Sequence, residues 1–361
     1  MVISSTTLTF GVRVIHYNIS MPSRNHAIDV LRGSSILIII FLHIAPYYLK
    51  FPWVAWIWSW AQFVVPVILL CSVAVTKIPN TPFDLSNYLA YIGKRLKRLV
   101  IPYYIFFVAY TAITYWFQPH KLTLRYFFQN STLMGGIDFH WLVLLFILLA
   151  IASPLTDRLF HASRKAFLLL ILVSLGLACA YQFNRPWWNA NYRVWMIGSW
   201  LSIALIARWV IELFTHRKWA NLMGIIFGAL SLWFIILLAL VSQHVQVSTY
   251  YHKYPPDIFH ITYSIWTMVT LYIVITKLTP YWETNNRIGK LFIQCMRWCS
   301  TYSYELFFVH IIIITVLDMT FPRRDISIWT FCLLAYISTI LIVALINLMK
   351  SIRSMSLRKT E

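Results

Sequence analysis

Charge is what this sequence has least of. Only 11% of its 361 residues are Asp, Glu, Lys or Arg, and the acidic ones number 11. A soluble domain covers its exterior with roughly a quarter charged residues, so the composition excludes an ordinary soluble protein. Cysteine is also sparse. Cys71, Cys179, Cys295, Cys299 and Cys332 are scattered and odd in number. Cys295 and Cys299 stand one helical turn apart, but no second Cys or His pair completes a zinc site. They read as small apolar residues, and no metal is expected. Residues 1–23 lack an apolar core of signal-peptide length, since Arg13, His16 and Asn18 interrupt them. They are expected to be a disordered tail, or to contain a mis-assigned start with the true one at Met21. No internal repeat is visible, and no loop is long enough for a separate soluble domain.

What the chain has in abundance is apolar surface: 60% hydrophobic residues, 17 Trp and a mean hydropathy of +0.69. Lipid accommodates such a surface, and runs of about 20 apolar residues cross it as helices. The sequence therefore predicts an all-α, polytopic integral membrane protein. Its ten spans are expected near 30–49, 54–76, 99–117, 140–157, 166–183, 194–214, 219–243, 258–279, 300–319 and 327–349. They form one membrane domain over 24–350, followed by a basic tail, 351–361.

The net charge of +19 does not form one patch, which argues against a nucleic-acid partner. It falls in small clusters between the spans. With both termini on the cytoplasmic side, 22 Lys and Arg lie inside and 8 lie outside, alternating at every loop. That is the pattern of the positive-inside rule, and it fits a multi-pass protein of the cytoplasmic (inner) membrane.

The first span opens Ile28-Asp29-Val30-Leu31-Arg32-Gly33 and later contains His43. Eleven residues at 100° each bring Arg32 and His43 to within about 20° of one helical face, about 16 Å apart along the axis. Arg32 then stands at the cytoplasmic boundary and His43 near mid-membrane. Asp29 can pair with Arg32 one turn away. An ionisable group at that depth is a functional candidate, although a His can also serve only to bond a neighbouring helix.

In Lys94-Arg95-Leu96-Lys97-Arg98, Arg95 and Arg98 share a helical face. They could clamp phosphates, or the run could anchor the chain on anionic lipid. Span nine carries Tyr302, Glu305 and a second deep histidine, His310. Glu305 reads as a carboxylate inside the span, with a structural bond and a role near the site equally open. The outer segment Tyr181 to Trp195 has Trp187, Trp188, Tyr192 and Trp195 with Asn184, Arg185, Asn189 and Asn191. It suits a sugar or an interfacial aromatic belt. Asp138, His140, His244 and Asp257 are further outward-facing candidates.

These pieces together resemble the membrane acyltransferase family 3. The resemblance rests on the Ile-Asp-x-Leu-Arg-Gly opening, the Arg32-x10-His43 spacing and the Arg-x-x-Arg of Arg95 and Arg98. Lys94 to Tyr104 is similar to the family's third helix, and His140-Trp141-Leu142 with Ser153-Pro154-Leu155 to its fourth. Ser303 to His310 is similar to its late Ser-Tyr-x-x-Tyr-x-x-His signature, with Phe at 307 and 308 in place of the Tyr. In span two, Val67 to Val73 lacks the family's Gly.

The resemblance covers about residues 24 to 350. It implies transfer of an acyl group, often acetyl, from cytoplasmic acyl-CoA to a hydroxyl of an envelope sugar, polysaccharide or lipid-linked glycan. No tightly bound cofactor is implied, since acyl-CoA is a substrate. Arg32, Arg95 and Arg98 would hold its phosphates, and His43 would act as general base or transient acyl carrier. Asp29 would support Arg32, and Glu305, His310, Tyr302 and His140 would assist. No hydrolase-like domain follows span ten, so the membrane domain is expected to finish the transfer or hand off to another chain. A proton-coupled transporter or flippase is the alternative, and a non-catalytic scaffold a more distant one.

Overall fold

A computed structural model describes residues 25–76, 84–137, 139–181, 183, 187, 191–215, 220–242, 249–285, 287–321 and 326–358. The expected tail, Asp138, His244 and most of the polar outer segment (Asn184, Arg185, Trp188, Asn189) lie outside these residues. The described residues form thirteen α-helices and no strand. They are α1 (His26–Ile44), α2 (Pro52–Trp60), α3 (Val64–Val75), α4 (Leu85–Phe117), α5 (Leu124–Ser131), α6 (His140–Ala162) and α7 (Arg164–Ala180). There follow α8 (Tyr192–Thr215), α9 (Ala220–Ser242), α10 (Ile258–Asn285), α11 (Arg287–Thr301), α12 (Ser303–Thr320) and α13 (Ile328–Arg358).

Among the described residues, eight stretches are long and apolar enough to cross a bilayer. They coincide with eight of the expected spans. The other two expected spans coincide with α7, of 17 residues, and with α9, whose described apolar part is Phe227–Ala239. The periphery is apolar: Leu333, Ile337, Leu341 and Leu345 repeat every fourth residue along α13 and are exposed. That spacing gives one face, suited to lipid.

Three departures from the expected spans shape the interior. First, α4 begins at Leu85, with the Asp84 side chain capping the Ser86 N–H, so the basic cluster lies on a continuous helix. Second, 287–301, expected as a cytoplasmic loop, is the separate helix α11. It crosses α1 at Gly33, where an added Cβ would collide with the backbone carbonyl of Met296. Only glycine permits that approach of two backbones. Third, the second span is not one helix, because a 3-10 turn at Ala61–Phe63 separates α2 from α3.

A broken helix leaves carbonyls to satisfy, and inside a membrane the protein itself must satisfy them. The Trp58 carbonyl accepts from Gln62 Nε2 at 2.7 Å, the Ser59 carbonyl from Thr249 Oγ1, and the Trp60 carbonyl from the Tyr263 hydroxyl. The break is therefore bonded to α10 and to the segment that precedes it.

The core is organised around α1, the most buried of the eight stretches, which packs on α3, α10, α11, α12 and α13. Arg208 joins α6 to α8, with Nε 2.7 Å from Asp157 and Nη1 3.1 Å from Glu212.

Candidate active site

The site grows from the start of α1. The Asn25 side chain caps the helix, accepting from the N–H groups of Ala27 (3.0 Å) and Ile28 (3.3 Å). This fixes where Asp29 and Arg32 emerge. Asp29 is buried and accepts from Ser300 Oγ of α11 at 2.8 Å. Arg32 Nη2 donates to the Cys71 carbonyl of α3 at 3.0 Å, and Cys71 Sγ lies 3.7 Å from the Ile28 carbonyl. Span two thus receives Arg32 through its backbone. Arg95 and Arg98 both lie within electrostatic reach of Arg32. Arg95 Nη2 donates to Thr76 Oγ1 at 3.1 Å, whereas Arg98 is exposed. Arg32 and Arg95 are thereby both bonded to the cytoplasm-expected end of span two, at Cys71 and Thr76.

Farther along α1, His43 meets His310 of α12. His43 Nδ1 is 2.7 Å from His310 Nε2, with ring planes 10° apart. His310 Nδ1 lies 2.9 Å from the Leu306 carbonyl. A carbonyl only accepts, so His310 carries its proton on Nδ1. With both rings neutral, His310 Nε2 must then accept, and His43 Nδ1 must donate. His43 is left with an unprotonated Nε2. His310 is fully buried and His43 half-buried, so only His43 is accessible to a reactant. Phe307 stands edge-on to both rings, at 6.5 and 5.7 Å between centroids.

The other sequence candidates lie elsewhere. Tyr302 sits at the junction of α11 and α12 and packs on Trp298. Glu305, expected inside a span, is in the first turn of α12, because the helix breaks at Tyr302. It is half-exposed and 3.4 Å from Lys350 Nζ, so it caps the bundle's edge away from the histidines. His140 and Asp257, read as outward-facing, are fully buried. His140 packs perpendicular to Tyr103, with Nε2 3.4 Å from its hydroxyl. Cys299 is held neutral, since burial pushes its thiol up to about 11.

One residue was counted in the sequence only as an outer charge. Lys253 is buried (5% exposed), and its Nζ donates to Gln62 Oε1 at 2.9 Å. Its ammonium stands 5.1 Å from the Trp141 ring and 5.3 Å from Tyr254. Gln62, a lone amide in an apolar span, was the available signal.

Family comparison decides among the readings of this geometry. The acyltransferase domain of family 3 matches residues 25–348, nearly the whole chain. The chain belongs to the acyltransferase 3 family. No curated protein and no solved structure matches it. As a family member it is a membrane acyltransferase, and the matched region contains both the arginine rim and the histidine pair.

Proposed function

We propose that this acyltransferase moves an acetyl group from cytoplasmic acetyl-CoA to a hydroxyl of an envelope sugar or lipid-linked glycan, with His43 as general base. The observation that carries the reading is the layout of α1. Its Arg32 guanidinium and its His43 imidazole share one face, about 16 Å apart. A donor with several phosphates and a long neutral arm ending in a thioester fits that layout. Arg32, Arg95 and Arg98 would pair with the phosphates through charge-assisted bonds, and the arm would run toward His43. His43 Nε2 would take the acceptor's hydroxyl proton as its oxygen attacks the thioester carbonyl. The departing CoA thiolate would recover that proton.

This orientation requires a cytoplasmic rim, as the distribution of Lys and Arg supports, with ten crossings in the inner membrane and both ends inside. His310 would be a positioning residue, holding the tautomer of His43. His310→Ala is expected to lower kcat about tenfold, the worth of one orienting hydrogen bond, with KM little changed. Steady-state kinetics check this, and an unchanged kcat would remove His310 from the scheme.

The proposal is tested with purified protein in vesicles, radiolabelled acetyl-CoA outside the cytoplasmic face and a pool of envelope glycans. Label should enter glycan whether or not a proton gradient is present. Movement of unmodified glycan that needs the gradient and ignores acetyl-CoA would support a transporter instead.

A further inference from the structure

The segment before α10 is expected to be an outer loop, yet Thr249, Lys253, Pro255, Pro256 and Asp257 are buried. It enters the bundle and bonds to the broken second span. Thr249 bonds to Ser59, Lys253 to Gln62, and the Tyr250 ring lies 4.2 Å from Trp58. Gln62 stands about ten helical residues below Pro52, so Lys253 is carried about 15 Å inward from the outer end of that span. The 3-10 turn that carries Gln62 also packs against α1, the helix of His43.

The surroundings of the ammonium are specific. Gln62 Nε2 donates to Trp58, which turns Oε1 toward Lys253 and fixes the amide. Two aromatic faces, Trp141 and Tyr254, complete the box. Among the described residues no carboxylate forms an ion pair with Lys253. The nearby Asp257 accepts from His252 Nδ1 at 2.5 Å through Oδ2, and from the His260 N–H at 3.0 Å through Oδ1. A buried cation with no ion-pair partner among the described residues is preorganised for negative charge that develops only during reaction. Attack on a thioester creates such a charge.

We propose that Lys253 is a catalytic residue that stabilises the oxyanion of acyl transfer at His43. The proposal rests on the acetyl-transfer reading above. As the acceptor oxygen bonds to the carbonyl carbon, its proton passes to His43 Nε2. The carbonyl π pair moves onto oxygen, and the Lys253 ammonium donates to that oxyanion. Collapse restores the carbonyl, breaks the carbon–sulfur bond and releases CoA thiolate, which takes the proton from His43. Lys253 ends the cycle unchanged.

The experiment uses the full chain in vesicles with labelled acetyl-CoA and the glycan pool, comparing wild type, Lys253→Met and Lys253→Arg. Lys253→Met should lower kcat about 100-fold, with both KM values within about twofold, and Lys253→Arg should restore part of it. Burial pushes Lys253 down to about 7, so the ammonium is lost as pH rises through that value. Wild-type kcat should therefore fall above about pH 7, and this limb should be absent in Lys253→Arg, which stays charged. The other titratable groups facing Lys253 are His43, His260 and the His252–Asp257 pair. All of them are retained in Lys253→Arg, so loss of the limb in that variant assigns it to Lys253. The wild-type limb is readable even if Lys253→Met does not fold. Full kcat in Lys253→Met, a change confined to the acceptor KM, or no alkaline limb in wild type would overturn the proposal. Absence of transfer in wild type would overturn both it and the acetyl-transfer reading, whereas active wild type with an unaffected Lys253→Met overturns this proposal alone.

Discussion

Acyl transfer by His43→Ala is expected to fall by about 10²–10⁴-fold, the usual contribution of a positioned general base. Folded yield should be nearly unchanged. His43 is half-buried, and its polar partner, His310, keeps its own bond to Leu306 when His43 is removed. The loss should lie in kcat, because the arginine rim that would hold the donor is untouched. His43→Gln, which keeps a donor toward His310 but has no basic nitrogen, should be as inactive as the alanine variant. Initial rates at matched protein abundance check this. Activity in His43→Gln would mean that the ring serves only to orient its neighbour.

The second large effect is on folding. At Gly33 a new Cβ would collide with the Met296 carbonyl and lie 2.9 and 3.0 Å from the Met296 C and Cα atoms. Backbone cannot turn aside as a side chain can, so α1 and α11 must separate. Overpacking of this kind costs about 1–3 kcal/mol. Separation would also strain the Asp29–Ser300 bond one turn away. Gly33→Ala is therefore expected to lower the thermal midpoint in detergent, and Gly33→Leu to abolish recoverable protein. Gly93 is the control. A Cβ there meets nothing within 4 Å, and the residue lies inside α4. Gly93→Ala should be neutral or stabilising by about 0.5–1 kcal/mol. Thermal unfolding of the two alanine variants side by side would decide it, and equal midpoints would refute the close crossing.

The class of fold and the shared face of Arg32 and His43 were legible because they depend on local quantities. Hydropathy over twenty residues locates a span, and helical periodicity aligns Arg32 with His43 without knowledge of any neighbour. Pairing across the bundle was not legible. His43 and His310 are 267 positions apart, and only packing brings Nδ1 to Nε2. The break at Ala61–Phe63 was hidden because the run from Pro52 to Val75 is apolar on average despite Gln62, and hydropathy does not register a change from α to 3-10. Glu305 lies in the first turn of its span rather than deep in it, because the helix starts at Ser303, after the break at Tyr302. Lys253 was misjudged by the rule that oriented the chain, since counting Lys and Arg treats every loop cation as solvated.

The central claim is that His43 removes a proton and is never itself acylated. Exchange of radiolabelled CoA into acetyl-CoA, with no acceptor present, tests it most directly. A general base permits transfer only when donor and acceptor are bound together, so wild type should show no exchange while it acetylates added glycan. Exchange at or above the turnover rate, and lost in His43→Ala, would contradict the account and make His43 the carrier of the acyl group.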